Sequence, residues 1–180
     1  MSVNFSITFL APFAVSTGRA SDGRDNTVEQ GNPLPSTAIK GLMRAQAAHG
    51  LRLPRTVVEQ VFGSARHPSP WAWSNAVVTV EVGLWTRIRV DEQGRAEERD
   101  MRTGDIAFAN RGTFSVTWQG AGDPPPEHVL ALRASGRHVV SLGGHRRRGQ
   151  GWVRIIDDEP WTADDSRRLL ALTKRTEVAR

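Results

Sequence analysis

The first segment, "VNFSITFLAPFAV", alternates apolar and polar residues until it meets a proline, which is the period-2 signature of a strand with one buried face. Residues 16–33, "STGRASDGRDNTVEQGNP", have no periodicity and read as a long loop, a length that is uncommon unless the loop has a function. "PSTAIKGLMRAQAAHGL" then changes to a helical period. Ile39, Leu42, Met43 and Ala47 fall on one face, Ser36 or Thr37 is placed to cap the start, and Gly50 lies past the end. "PRTVVEQVFG" predicts a second, short helix closing at Phe62 and Gly63.

Residues 67–90 are rich in β-formers and predict strand structure. Charged residues and glycines crowd residues 91–112 and predict an exposed hairpin or finger; "TFSVTW" follows as a strand. "PPPEHVLALRAS" predicts a helix with prolines at its start. "HVVSL" and "WVRII" predict two strands around a glycine-arginine loop, and "TADDSRRLLALTKR" predicts a terminal helix capped by Thr162 with acids in its first turn. The order β-α-α-β-β-β-α-β-β-α is that of an α+β protein with an antiparallel sheet and helices on one face. Two β-α-β halves of this kind make a ferredoxin-like fold.

Composition narrows the chemistry. A single domain spanning 1–180 is expected, long enough to bury a core unaided. Cysteine is absent, which excludes disulfides and cysteine-bound zinc. The N-terminal stretch does not resemble a signal peptide and no run approaches a membrane span, so a cytoplasmic protein is expected with no membrane partner. Basic residues outnumber acidic ones by 24 to 19, and the only lysines are Lys40 and Lys174. Arginine's planar fork matches phosphate oxygens and stacks on bases. Arginine-rich composition also follows from a GC-rich genome, so the placement of the arginines must decide.

They concentrate in "SLGGHRRRGQGWVRI". Gly143, Gly144, Gly149 and Gly151 surround His145, Arg146, Arg147 and Arg148. This is either a solvated turn or an anion cradle of backbone amides and arginines. A nucleotide P-loop is excluded, because no Gly-Lys-Ser/Thr follows. Around the start of the first helix, Ser36, Thr37, Lys40 and Arg44 form a second candidate anion site. His49, His67 and His128 lack metal-ligand spacing and are expected in surface or capping roles. Trp71, Trp73, Trp85 and Trp118 are expected in the core. Trp152 is also expected there, although a tryptophan after this loop could stack on a base.

The run "LPSTAIKGLMR", then "VFGSA", then "LGGHRRRGQG" resembles the RAMP superfamily of CRISPR-associated proteins, most of all the backbone subunit of type III effector complexes. Asp25-Asn26-Thr27-Val28 stands where that subunit has D-x-P-V/I, with Thr27 in place of proline, and Pro35-Ser36-Thr37 stands where Pro-Gly-Ser is usual. "IRVDEQGRAEERDM" with "NRGTFSV" occupies the place of its middle motif.

The resemblance implies an RNA-recognition-motif-like domain that binds guide CRISPR RNA, pairs it with complementary target RNA, and repeats as copies of itself in a helical filament with other type III effector subunits. A protruding β-hairpin thumb, expected at about 89–112, would displace guide nucleotides. Arg19, Ser36, Thr37, Lys40, Arg44, Gly143, Gly144, His145, Arg146, Arg147, Arg148 and Gly149 would hold RNA, with base pairing supplying specificity. Asp25, with Asp22 as a nearby rival, matches the aspartate that cuts target RNA with Mg²⁺ or another divalent metal, whose ligands the sequence does not identify. Three alternatives stay open. They are a non-catalytic structural or capping subunit, a metal-independent CRISPR RNA-processing endonuclease using His145, and an RNA-binding domain of translation or RNA maturation.

Overall fold

The computed structural model describes residues 1–16, 18, 23, 24, 26–90, 93, 96–144 and 146–177. Strand β1 (Ser2–Phe9) leads through a long loop to helix α1 (Ser36–Ala45), which continues as a π-helical turn, Gln46–Gly50, and is followed by α2 (Arg55–Phe62). The short strands β2 (Trp71–Trp73) and β3 (Val77–Val78) precede a hairpin of β4 (Glu81–Val90) and β5 (Ala96–Phe108). Then come β6 (Arg111–Trp118), α3 (Pro126–His138), a 3-10 turn at Arg146–Arg148, β7 (Val153–Asp157) and α4 (Ala163–Glu177).

The main sheet has the order β2-β6-β1-β7, with β3 also pairing to β6, and every pairing is antiparallel. Its central strand β1 carries Val3, Phe5, Ile7 and Phe9 on the buried side and Ser2, Asn4, Ser6 and Thr8 on the exposed side, as its alternation predicts. Opposite them, β6 buries Phe114 and Val116, and β7 buries Val153 and Ile155. Phe5 stacks on Phe114 with centroids 4.8 Å apart. Helices supply the other side of this core through Ile39, Met43, Val58, Val61, Leu132 and Leu172. Gly136 is required inside α3, because a Cβ there would lie 2.6 Å from the ring of Phe5. Among the described residues no helix covers the opposite sheet face, where Ser2, Asn4, Ser6 and Thr8 are exposed.

Three expectations are corrected. The segment "HVVSL" is not a strand. Helix α3 runs on to His138, held against the sheet by its buried face, and beyond it Ser141 makes only an isolated bridge to Trp152. The hairpin is longer than expected and starts at Glu81, which pairs Phe108, while β6 already begins at Arg111. It forms its own two-stranded sheet and is fastened at its base by the Phe13–Ala107 bridge. Finally, His128 is buried within α3, with its ring 6.2 Å from that of Trp118, so it is neither a surface nor a capping residue.

Thr162 does cap α4. Its hydroxyl accepts from the Asp165 N–H at 3.1 Å while Asp165 accepts from the Thr162 N–H at 2.9 Å. The bond from the Thr162 N–H, and then one that the Thr162 hydroxyl donates to the same carboxylate oxygen at 2.9 Å, hold the Asp165 carboxyl below the usual range. Nearby, the buried Arg133 donates to Asp157 at 2.6 Å and to the carbonyls of Glu159 and Pro160. This network ties α3 to the end of β7 and the start of α4. No helix among the described residues is long and apolar enough to cross a membrane.

Candidate functional site

Strand β1 ends, and β6 and β7 begin, at the same edge of the sheet, where β3 pairs with the first residues of β6. Topology therefore brings four sequence-predicted segments to that edge. They are the loop after β1, the start of α1, the base of the hairpin and the glycine-arginine loop before β7. The start of α1 is pinned there by the Ala76 N–H, which donates to the Leu34 carbonyl at 3.1 Å.

The expected hydroxyl cap of α1 is not formed. Pro35 is the N-cap, in extended conformation, and its carbonyl accepts from the Ala38 and Ile39 N–H groups. The Ser36 N–H instead donates to Asn75 Oδ1 at 2.9 Å, so a side chain from the loop after β2 replaces the local cap. Ser36 is half-buried and Thr37 exposed, and among the described residues neither hydroxyl has a hydrogen-bond partner. One turn on, the Lys40 ammonium lies 4.8 Å from the centroid of the Trp73 ring. Desolvation, and then the neighbouring Arg44 charge, push its pKa down. Arg44 is exposed and, among the described residues, has no carboxylate partner. Two cations four residues apart on one helix face suit an external anion.

In the glycine-arginine loop, the glycines and the arginines do different work. Gly143 (φ +75°) and Gly151 (φ +77°) sit where a Cβ would run into the carbonyls of Ala14 and Leu142 respectively. The Gly144 N–H donates to the Ala14 carbonyl at 2.8 Å and the Gly151 N–H to that of Pro12 at 2.8 Å. These residues dock the loop onto the chain leaving β1, and two of its amides are satisfied inside the protein. Gly149 (φ +79°) faces open space and serves the turn alone. The 3-10 turn leaves the Arg146 and Arg148 side chains exposed, with no carboxylate partner among the described residues. His145 lies outside the described residues. Trp152 is 48% exposed, which corrects its expected place in the core.

Arg19, Asp22 and Asp25 also lie outside the described residues. The residues flanking position 25 are firmly held. Arg24 Nη1 donates to Asp105 Oδ1 at 2.8 Å, the Val28 N–H donates to Asp105 Oδ2 at 3.1 Å, and the Asp105 N–H donates to the Asn26 carbonyl at 2.9 Å. Asp105, on β5, is only 4% exposed. It was missed in the sequence, where the one signal is an aspartate between Gly104 and Ile106 in "TGDIAF". A carboxylate buried among apolar neighbours must find donors.

The described residues do not by themselves make a metal site. No three His, Asp or Glu side chains gather among them, and both oxygens of Asp105 are committed to Arg24 and Val28. The chemistry they do support is anion binding, by Lys40 and Arg44 on α1 and by Arg146 and Arg148 in the loop before β7.

The fold is similar to that of chains in two solved assemblies. One is described as the Type III-B Cmr-beta bound to cognate target RNA, with a TM-score of 0.70, 11% identity, and 87% of this chain and 97% of that chain covered. The other is Type III-B Cmr-beta in the apo state, with a TM-score of 0.68, 11% identity, and 92% and 98% covered. Curated proteins give no significant match. A family model for the RAMP superfamily matches residues 6–154, most of the chain. The chain belongs to the RAMP superfamily.

Proposed function

We propose that this protein is an RNA-binding backbone subunit of a type III CRISPR ribonucleoprotein effector, working in the cytoplasm with guide CRISPR RNA, target RNA and other subunits. The reading is of one ferredoxin-like, RNA-recognition-motif-like domain over 1–180, and the strand order β2-β6-β1-β7 with its helices on one face supports it. The observation that carries the proposal is two pairs of cations without carboxylate partners among the described residues, Lys40 with Arg44 on α1 and Arg146 with Arg148 in the loop that is docked on the chain leaving β1. Guanidinium and ammonium groups without internal carboxylates position a phosphate chain and leave sequence to base pairing.

In this reading the β4–β5 hairpin is the thumb, copies of the chain repeat along the guide, and Asp25 serves target cleavage with a divalent ion such as Mg²⁺. Asp105 acts as a positioning residue, fixing Arg24 and Val28 on either side of position 25. A second reading is a structural subunit that binds guide without cutting. The full commitment of Asp105 favours it, because the carboxylate that braces Arg24 and Val28 then has no free oxygen to offer a metal.

Cleavage of guide-matched RNA by the assembled complex separates the two, comparing wild type with Asp25→Ala in Mg²⁺ and in EDTA. Regularly spaced cuts that need both Mg²⁺ and Asp25 establish the cutting subunit. Intact target with guide still bound establishes the structural one. Cleavage that persists in EDTA and depends on His145 would instead place the protein with the metal-independent processing enzymes.

A further inference from the structure

The open face of the sheet carries a patch that the predicted site did not include. Along β7, burial alternates from Trp152 to Asp157, which puts Trp152, Arg154 and Ile156 on the face opposite the core. Thr8 on β1 is paired with Arg154 on one side and Arg111 on the other, so the two arginines stand in one row across three strands. Their Cα atoms are about 10 Å apart, twice the strand spacing. The Leu10 N–H donates to the Trp152 carbonyl at 2.8 Å, which sets Leu10, 60% exposed, beside the indole at the head of the row. Among the described residues, neither Arg111 nor Arg154 has a carboxylate partner.

An exposed indole, two unpaired guanidiniums and a hydroxyl between them are three chemistries one ligand can use together. The indole and Leu10 offer a stacking surface to a base, the arginines meet phosphate oxygens, and Thr8 can bond a phosphate or a ribose hydroxyl. The patch also continues the track from Arg146 and Arg148, which lie just before it in the chain. We propose that the open sheet face binds a single-stranded RNA segment, with a base stacked on Trp152 and the backbone held by Arg111 and Arg154. This rests on the RNA-binding reading above and extends it to a surface that recognises bases by stacking rather than by pairing.

The test is equilibrium binding of the full chain to a labelled oligouridylate and to an abasic ribose-phosphate strand of the same length. Wild type is compared with Trp152→Ala, Trp152→Phe and a double variant, Arg146→Glu with Arg148→Glu. Trp152→Ala is expected to weaken oligouridylate binding about tenfold, the scale of one lost base stack, and to leave abasic binding unchanged. Trp152→Phe is expected to restore most of the loss. If Trp152→Ala binds oligouridylate like wild type while the double variant does not, the sheet-face proposal fails and the RNA-binding reading stands. If wild type binds neither strand, both fall. Equal weakening on both strands, or loss of co-assembly with partner subunits without loss of RNA, would also overturn the proposal by assigning Trp152 to folding or to a protein contact.

Discussion

Arg24 and Asp105 form a 2.8 Å ion pair that joins the loop after β1 to the base of the β4–β5 hairpin. The carboxylate is buried and its second oxygen accepts the Val28 N–H, so one side chain fixes both sides of position 25. Asp105→Ala strands a guanidinium that is partly exposed and a buried N–H. It should cost about 2 kcal/mol, between the values for a lost hydrogen bond and for a broken buried pair. Chemical denaturation measures that cost. Target cleavage by the assembled complex should fall further than guide binding, because the loop and not the basic edge is released.

The loop glycines separate docking from turning. Gly151→Ala places a Cβ against the Leu142 carbonyl at a positive φ and should undock the loop, lowering thermal stability and RNA affinity together. Gly149→Ala, at φ +79° in open space, should cost only about 1 kcal/mol. Thermal unfolding with RNA titration on both variants distinguishes the two effects.

Reversing charge at the exposed arginines should change binding through electrostatics alone. Arg146→Glu with Arg148→Glu should weaken RNA binding with little dependence on sequence. It should also flatten the salt dependence by roughly 0.7 log units per lost phosphate contact. Binding isotherms across a salt series give the slope. An unchanged slope in a folded variant would return the two arginines to the role of solvated surface charges.

Burial lowers the pKa of His128, with Glu127 opposing more weakly, and the ring is neutral in the folded protein at pH 7. The unfolded chain therefore binds a proton more readily than the folded one. Stability should be full above about pH 6.5 and should decline as pH falls from there towards the lowered folded value. Replacing His128 by Leu should remove that decline, measured as denaturation midpoints across the acid range.

The buried pair of Arg133 and Asp157 gives a structural contrast remote from the basic edge. Asp157→Ala removes the shared partner of Arg133 and Arg137, leaving Arg133 only the longer ion pairs to Asp165 and Glu159. It should cost about 3 kcal/mol, whereas Asp157→Leu with Arg133→Met and Arg137→Met should cost much less. Denaturant unfolding of both variants, with RNA affinity measured alongside, checks that this network serves the fold and not binding.

Where local pattern dictates structure, the sequence is readable. The strict alternation of β1 and the helical spacing of Ile39, Leu42, Met43 and Ala47 both reappear as buried faces. What the pattern cannot specify is the partner. Residues 81–90 alternate whether they pair within the main sheet or with β5, so the start of the hairpin was placed too late. Val139 and Val140 favour a strand locally, but the packing of Gly136 on Phe5 carries α3 up to them. At the candidate site, the exposed Arg44, Arg146 and Arg148 follow directly from the motifs. The cap from Asn75, the anchor at Asp105 and the exposure of Trp152 depend on residues brought together from distant parts of the chain.

The most direct test of the central claim is to express the protein with its companion subunits and a CRISPR array, and to map ultraviolet crosslinks in the purified assembly. The account predicts RNA of uniform CRISPR length, crosslinked to the peptides carrying residues 36–44 and 143–149. Heterogeneous RNA, or guide RNA crosslinked only elsewhere on the chain, would contradict it.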